Sequence, residues 1–304
     1  MVIVKSEFKA LGTDIAVQIV AQDEKELEKA NEILPEIKKI YLEKERIFSR
    51  FDAKSDLSFL NKNIGKFIKA SPDLFELAKK SLEYYLASQG IFDPRIIEIL
   101  ENAGYKNNFE SNDFKEADYT DKIFDDLWEN LLIRGEKIMF RKRMDFSGIA
   151  KGYVTDKIAE FLKKNGFRNF LVDSGGDIFA QGQNEKNEKW KIALEGIQED
   201  KMMIGISNKA IATSGITRRK WENDGKKFHH LINPKNPDHF DFNLKSVTVI
   251  EDTTEKADVW AKILFLMGRE KGIEFSKLNK IKSLFLDYRN NLYVSPESKK
   301  FLIT

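Results

Sequence analysis

The sequence predicts an α+β fold, with mixed or antiparallel sheets and helices packed against them. Three observations lead there. Stretches such as SVTVI at 246–250 and FKALGTDIAVQIV at 8–20 read as strands. Residues 149–164 and 254–267 instead repeat apolar side chains at helical spacing. The two kinds of element come in irregular order, not in the strict alternation of a parallel βαβ sheet.

In chain order, residues 8–20 give two strands around Gly12-Thr13. Residues 23–47 form a long charged amphipathic helix, with Leu27, Ala30, Leu34, Ile37 and Tyr41 on its apolar side. Pro35 is expected to kink or divide it. In FSRFDAKSDLSFLN, 48–61, Asp52 suits a turn and Ser55 is placed to cap a short helix through Leu60. Ser71-Pro72 opens a second helix, which runs through Leu74, Leu77, Ala78, Leu82 and Tyr85 to a stop at Gly90. Asp93-Pro94 turns into a shorter helix that ends near Tyr105. Residues 106–122 are polar and read as a surface excursion, and 131–145 as a hairpin about Arg134-Gly135-Glu136-Lys137. Strands follow at 190–194, 203–207, 210–213 and 246–250, and two more in 283–294 about Arg289-Asn290-Asn291. Residues 226–232 lead to Asn233-Pro234. No repeat or low-complexity linker interrupts the chain. The expectation is one domain over residues 1–304, or two closely packed subdomains.

Composition excludes several function classes. With 51 basic and 49 acidic residues the net charge is +2, so nothing draws the chain generally toward nucleic acid or anionic lipid. There is no cysteine, which removes disulfides, thiolate catalysis and Cys-ligated metal centres. His229, His230 and His239 are the only histidines and no HExxH occurs, which argues against a His-rich zinc site. No apolar run reaches membrane-spanning length. The first residues lack a basic segment followed by an apolar core. The expected compartment is the cytoplasm, or outside it if a signal segment has been removed.

Residues 144–177 concentrate the chemistry. A strand-like run enters Ser147-Gly148, and the helix from Ile149 to Lys164 ends at Gly166. The apolar run Phe170-Leu171-Val172 then breaks into Asp173-Ser174-Gly175-Gly176-Asp177. Small-residue turns beside a helix start, with Lys151 nearby, suit a phosphate ester. The pattern is neither GxGxxG nor GxxxxGK[ST], and taken alone it fits ordinary structural glycines equally well.

Nine motifs in one order decide between these readings. They are LGT at 11–13, FSRFDAKSDLSFLN at 48–61, GIFDP at 90–94, MDFSGIAKGYVTD at 144–156 and DSGGDI at 173–178. ATSG at 212–215, HLINP at 230–234, SVTVI at 246–250 and ADVWAKILFLMG at 257–268 follow. Together they resemble the ApbE family, the FAD:protein FMN transferases, over nearly the whole chain. The resemblance implies an ApbE-like fold, bound FAD and a magnesium ion. It also implies a partner flavoprotein whose threonine hydroxyl attacks the FMN-side phosphorus with release of AMP. Some members hydrolyse FAD to FMN and AMP instead.

Carried over residue by residue, the resemblance puts Leu11 where a flavin-touching Met is usual, and Phe51 at a position often Tyr. Ile91, Phe92 and Asp93 fall on the adenine side, and Asp145 and Lys151 flank the turn used for FAD. Gly175, Gly176 and Thr213 join the cofactor-binding set. A metal ligand is implied around Gly148 and Ala150, and a metal carboxylate at Asp258 that also serves catalysis. His230 stands near the phosphates as proton acceptor or electrostatic helper. Outside the resemblance, Phe51 reads as core, Asp258 as a solvated carboxylate, His230 as a strand histidine, and Asp173 and Asp177 as turn residues.

The chain also departs from the pattern. Lys262 holds the metal-ligating Thr position, one turn after Asp258, and a charged ammonium cannot ligate a metal. HLINPKNP replaces the usual HIIDPRTG, with Asn233, Asn236 and Pro237 at changed positions, and Arg95 stands where Thr is common. The leading expectation is the transferase. The alternatives are an FAD pyrophosphatase and a non-catalytic FAD-binding homologue.

Overall fold

The computed structural model describes residues 1–102, 125–194, 196–197, 202–216, 220–223, 226–237 and 243–303. The expected excursion at 106–122, the end of the helix expected to reach Tyr105, and His239 lie outside these residues. Eight strands form an antiparallel sheet whose spatial order follows chain order. They are β1 (Val2–Ala10), β2 (Thr13–Ala21), β6 (Phe170–Ser174), β7 (Ile178–Gln181), β10 (Lys209–Gly215), β13 (Leu244–Glu251), β14 (Lys282–Asp287) and β15 (Leu292–Val294). Every described strand pairing is antiparallel, so no parallel strands mix in.

The sheet is a meander with four excursions. Between β2 and β6 run α1 (Glu24–Phe48), α2 (Asp56–Lys62), α3 (Pro72–Ala87), α4 (Ile97–Asn102), α5 (Leu127–Asn130) and α6 (Ser147–Lys164). That stretch also holds a small sheet of β3 (Ile68–Lys69), β5 (Lys137–Phe140) and β4 (Leu131–Arg134). Between β7 and β10 lies the hairpin β8 (Trp190–Ala193) and β9 (Met203–Ile206), with β16 (Leu302–Ile303) on its edge. A second hairpin, β11 (Lys220–Asn223) and β12 (Lys226–His229), separates β10 from β13. Finally α7 (Thr254–Leu266) and α8 (Arg269–Leu278) separate β13 from β14.

Strand alternation explains why both sheet faces are dry. Val17, Val172, Ala212 and Val249 point into the larger core with the helices, whereas Val20, Leu171, Ile211 and Ile250 join a second core under β8 and β9. Strands covered on two faces read as continuous apolar runs, which is the character of FLV at 170–172.

Two helix expectations need adjustment. α1 is continuous from Glu24 to Phe48, so Pro35 does not divide it. Pro35 and Asn31, whose carbonyl loses its usual donor, both lie on the exposed side, where water can replace that bond. Ala30, Ile33, Leu34, Ile37 and Tyr41 hold the opposite side in the core. Ser71 precedes α3 with Pro72 at the first position, as expected, but its hydroxyl makes no cap bond.

Candidate active site

The site begins with a seam between two helices. Gly152 of α6 lies so close to α7 that a Cβ there would sit 2.7 Å from the Cα of Glu255. Asp156, one turn later, accepts from the backbone N–H groups of Thr254 at 2.7 Å and Glu255 at 2.9 Å. It thereby caps α7 from the neighbouring helix, together with the Thr253 side chain. Burial raises the Asp156 carboxyl to about 6, while its backbone hydrogen bonds pull the other way. The seam fixes Lys151 on one helix relative to Asp258 and Lys262 on the other.

The Gly-Gly turn adds the next carboxylate. Gly175 and Gly176 have φ values of 65° and 96°. A side chain at Gly175 would collide with Thr13 across the sheet edge, so only glycine serves there. The turn closes through Ser174 N–H to the Asp177 carbonyl, and Gly176 N–H donates to Asp173 Oδ1 at 2.7 Å. Beneath it, Ser174 Oγ meets Tyr41 Oη at 2.8 Å and Thr155 Oγ1 at 2.6 Å, and Thr155 donates to the Lys151 carbonyl. These bonds tie the turn to α6, and the Lys151 ammonium contacts Asp177. Burial pushes the Asp177 carboxyl up, and neighbouring Asp258 adds to this against the two lysines.

The remaining wall comes from the first excursion. Asn61 bonds both the carbonyl and the N–H of Met144, at 2.9 and 2.8 Å, and so holds the chain entering α6. Asp145 N–H donates to the Pro94 carbonyl, and Asp145 Oδ1 accepts from Ser147 N–H. Arg50 brings its Nε to 3.2 Å from Asp145 Oδ2 and lays its guanidinium 4.2 Å from the Phe51 ring centre. Arg95 grips Asp93 through Nε and Nη2, at 3.0 and 2.7 Å. Phe51 is 42% exposed, so it is not core.

These elements surround a cavity of about 330 Å³, inside the range of small-molecule sites, roughly 300–1,000 Å³. Leu11, Phe51, Ile91, Phe92, Asp93, Asp145, Gly148, Ala150, Lys151, Gly175, Thr213, His230, Asp258 and Lys262 all line it. Gly176 does not line it and instead shapes the turn. Thr213 Oγ1 is 2.9 Å from Thr248 Oγ1 on the adjacent strand. Asp258 is buried and one turn from Lys262, whose ammonium sits on Asp258 Oδ1.

The ApbE family model matches residues 11–285. This chain belongs to the ApbE family. It is 34% identical over 163 residues to the FAD:protein FMN transferase of Haemophilus influenzae, covering 52% of this chain and 47% of that protein. The Vibrio cholerae FAD:protein FMN transferase is likewise 34% identical, over 166 residues, covering 52% of this chain and 50% of its own. The chain spans about half the length of the curated relatives it matches. The fold is that of solved ApbE structures. The flavin transferase ApbE from Vibrio cholerae superposes with a TM-score of 0.82 at 24% identity, over 99% of each chain. The Pseudomonas stutzeri flavinyl transferase ApbE gives 0.84 at 21%, over 99% of this chain and 97% of that one.

For this ApbE chain, the fit of a magnesium ion is decided at Asp258. Among the described residues its buried Oδ2 has no hydrogen-bond partner, as a ligand oxygen would not. Its Oδ1 carries the Lys262 ammonium, and Lys151 sits on Asp177. Among the described residues, no group of three or more His, Asp or Glu side chains is arranged to hold a metal. As arranged, the residues do not fit a resident divalent ion.

Sequence reasoning passed over three participants. Arg50 lies within the 48–61 motif with no role of its own there, Asp177 reads as a turn residue, and Arg95 as a departure. Their partners are what reveal them. Arg95 was the most legible, since its partner Asp93 is two residues away.

Proposed function

We propose that this chain is an FAD:protein FMN transferase. The reading rests on one cavity that joins apolar and aromatic walls to two lysine ammonium groups and two proton acceptors. Leu11 and Phe51 would lie against the isoalloxazine, and Ile91 and Phe92 against the adenine, with Asp93 held in place by Arg95. Asp145, the Gly175-Gly176 turn and Thr213 would complete the FAD contacts. Lys151 and Lys262 would neutralise the pyrophosphate, supported by the start of α6.

The partner is a flavoprotein that offers a threonine hydroxyl. The hydroxyl oxygen bonds to the FMN-side phosphorus, and the bond from that phosphorus to the bridging oxygen breaks. AMP leaves with the bridging oxygen, and FMN stays on the acceptor as a phosphoester. Two acceptors for the hydroxyl proton stand on the wall, His230 and the unpartnered Oδ2 of Asp258. Catalysis then consists of charge neutralisation and positioning. Magnesium, expected from the family, would have to compete with Lys262 for Asp258, and no step above depends on it.

Intact-mass spectrometry of a threonine-bearing acceptor domain incubated with this protein and FAD tests the reading. The acceptor should gain one FMN phosphoester, with AMP appearing in equal amount. FMN and AMP without acceptor labelling would make the protein a pyrophosphatase. Bound but intact FAD would make it a flavin-binding homologue.

A further inference from the structure

We infer that this protein binds FAD without a divalent cation, Lys262 being a tethered counter-charge that takes the ion's place. The inference rests on the flavin reading above and concerns this chain's own charge balance. Four aspartates line the cavity, and each has its own basic partner. Asp93 is held by Arg95, Asp145 by Arg50, Asp177 by Lys151 and Asp258 by Lys262. The formal charge of these eight groups is zero. A divalent ion on Asp258 would have to displace the Lys262 ammonium and leave that charge without its partner.

Lys262 is built into its position. It follows Asp258 by one helical turn, with the acid on the N-terminal side, which is the favourable order for such a pair. Its side chain is 18% exposed and that of Asp258 3%. Its Cδ and Cε pass 3.9 Å from where a Cβ on Gly148 would stand, so the aliphatic stem crosses the first turn of α6. The ammonium therefore lies beside the helix start that suits a phosphate. An ammonium has three donors, and the contact with Asp258 needs only one. The others remain to meet a pyrophosphate oxygen. Lys151, on Asp177, also lines the cavity from α6, so two ammonium groups lie where a pyrophosphate would sit. Magnesium instead demands near-octahedral oxygen ligands and retains waters. Asp258 Oδ2 and Asp145 Oδ2 are the buried carboxylate oxygens of this wall without a hydrogen-bond partner among the described residues, and the second already faces Arg50, so they do not make that set.

The test is FAD binding, followed by flavin fluorescence, in EDTA and in magnesium chloride. Wild-type protein should bind FAD with affinities that agree within about twofold in the two buffers. Lys262→Thr should acquire a requirement, binding FAD at least about tenfold more weakly in EDTA than in magnesium. Wild-type affinity that falls about tenfold in EDTA and returns with magnesium would overturn the inference and leave the flavin reading standing. So would a folded Lys262→Thr that binds FAD equally well in both buffers. No FAD binding by the wild type in either buffer would overturn the flavin reading, and the inference with it. The wild-type comparison decides even if the variant fails to fold.

Discussion

The cavity wall carries two arginine–aspartate pairs and two lysine–aspartate pairs, and they differ in kind. The Arg95 side chain is 1% exposed, and its guanidinium grips Asp93 with more than one N–H. Arg50, 4% exposed, faces Asp145 and stacks along Phe51. Lys151 and Lys262 are 20% and 18% exposed and touch their aspartates as point charges. A planar guanidinium spends its donors in a fixed fork, whereas an ammonium keeps donors to spare. The arginine pairs therefore set the wall, and the lysine pairs present charge to a ligand.

That division breaks first at Arg95. Arg95→Met leaves the Asp93 carboxylate buried and unpaired, a loss of roughly 3–5 kcal/mol of stability that a urea titration reads. If the variant keeps its stability and loses FAD binding instead, the arginine pair is not structural. Lys151→Met should do the opposite. FAD affinity should fall about tenfold to a hundredfold, the loss of one charge-assisted contact, with a smaller change in stability because burial already raises the Asp177 carboxyl, which can take up a proton once its partner is lost.

The lysine pairs face each other only while the seam holds. Gly152→Ala forces a methyl against the Glu255 backbone and should cost about 1–3 kcal/mol, with weaker FAD binding as α6 and α7 separate. Unchanged FAD affinity in a destabilised Gly152→Ala would show that the seam does not position the lysines. The most gradual effect is a pH slope. Asp156 titrates near 6 when folded, above its unfolded value, so the folded state holds more protons between about pH 4 and pH 6. Its contribution to stability falls as pH rises through that window, by at most about 1.4 kcal/mol per pH unit, and is level on either side. Asp156→Asn should flatten that part of the profile.

What was legible in the sequence was local. α6, α7 and the strands around 170 and 246 announce themselves by spacing, and Asp258–Lys262 is visible as an i, i+4 pair. The Arg50–Asp145 and Lys151–Asp177 pairs bridge separate elements and exist only once the first excursion folds over the sheet. α8 went unread because its charged sequence, REKGIEFSKL, carries Gly272 in its interior and begins after Gly268, at φ 77°. That glycine has a packing reason, since a Cβ there would meet the Leu264 carbonyl at 2.7 Å and Phe285 at 2.9 Å. Pro35 misled for a related reason, because whether a proline ends a helix depends on which face meets water.

The claim that the lysine pairs face a pyrophosphate is tested most directly by comparing FAD with riboflavin. Titrating both into wild-type protein and Lys151→Met separates charge recognition from ring packing. The account predicts a loss of affinity confined to FAD, with riboflavin binding unchanged. An equal loss for both ligands would contradict it, because Lys151 would then be shaping the cavity and not meeting the phosphates.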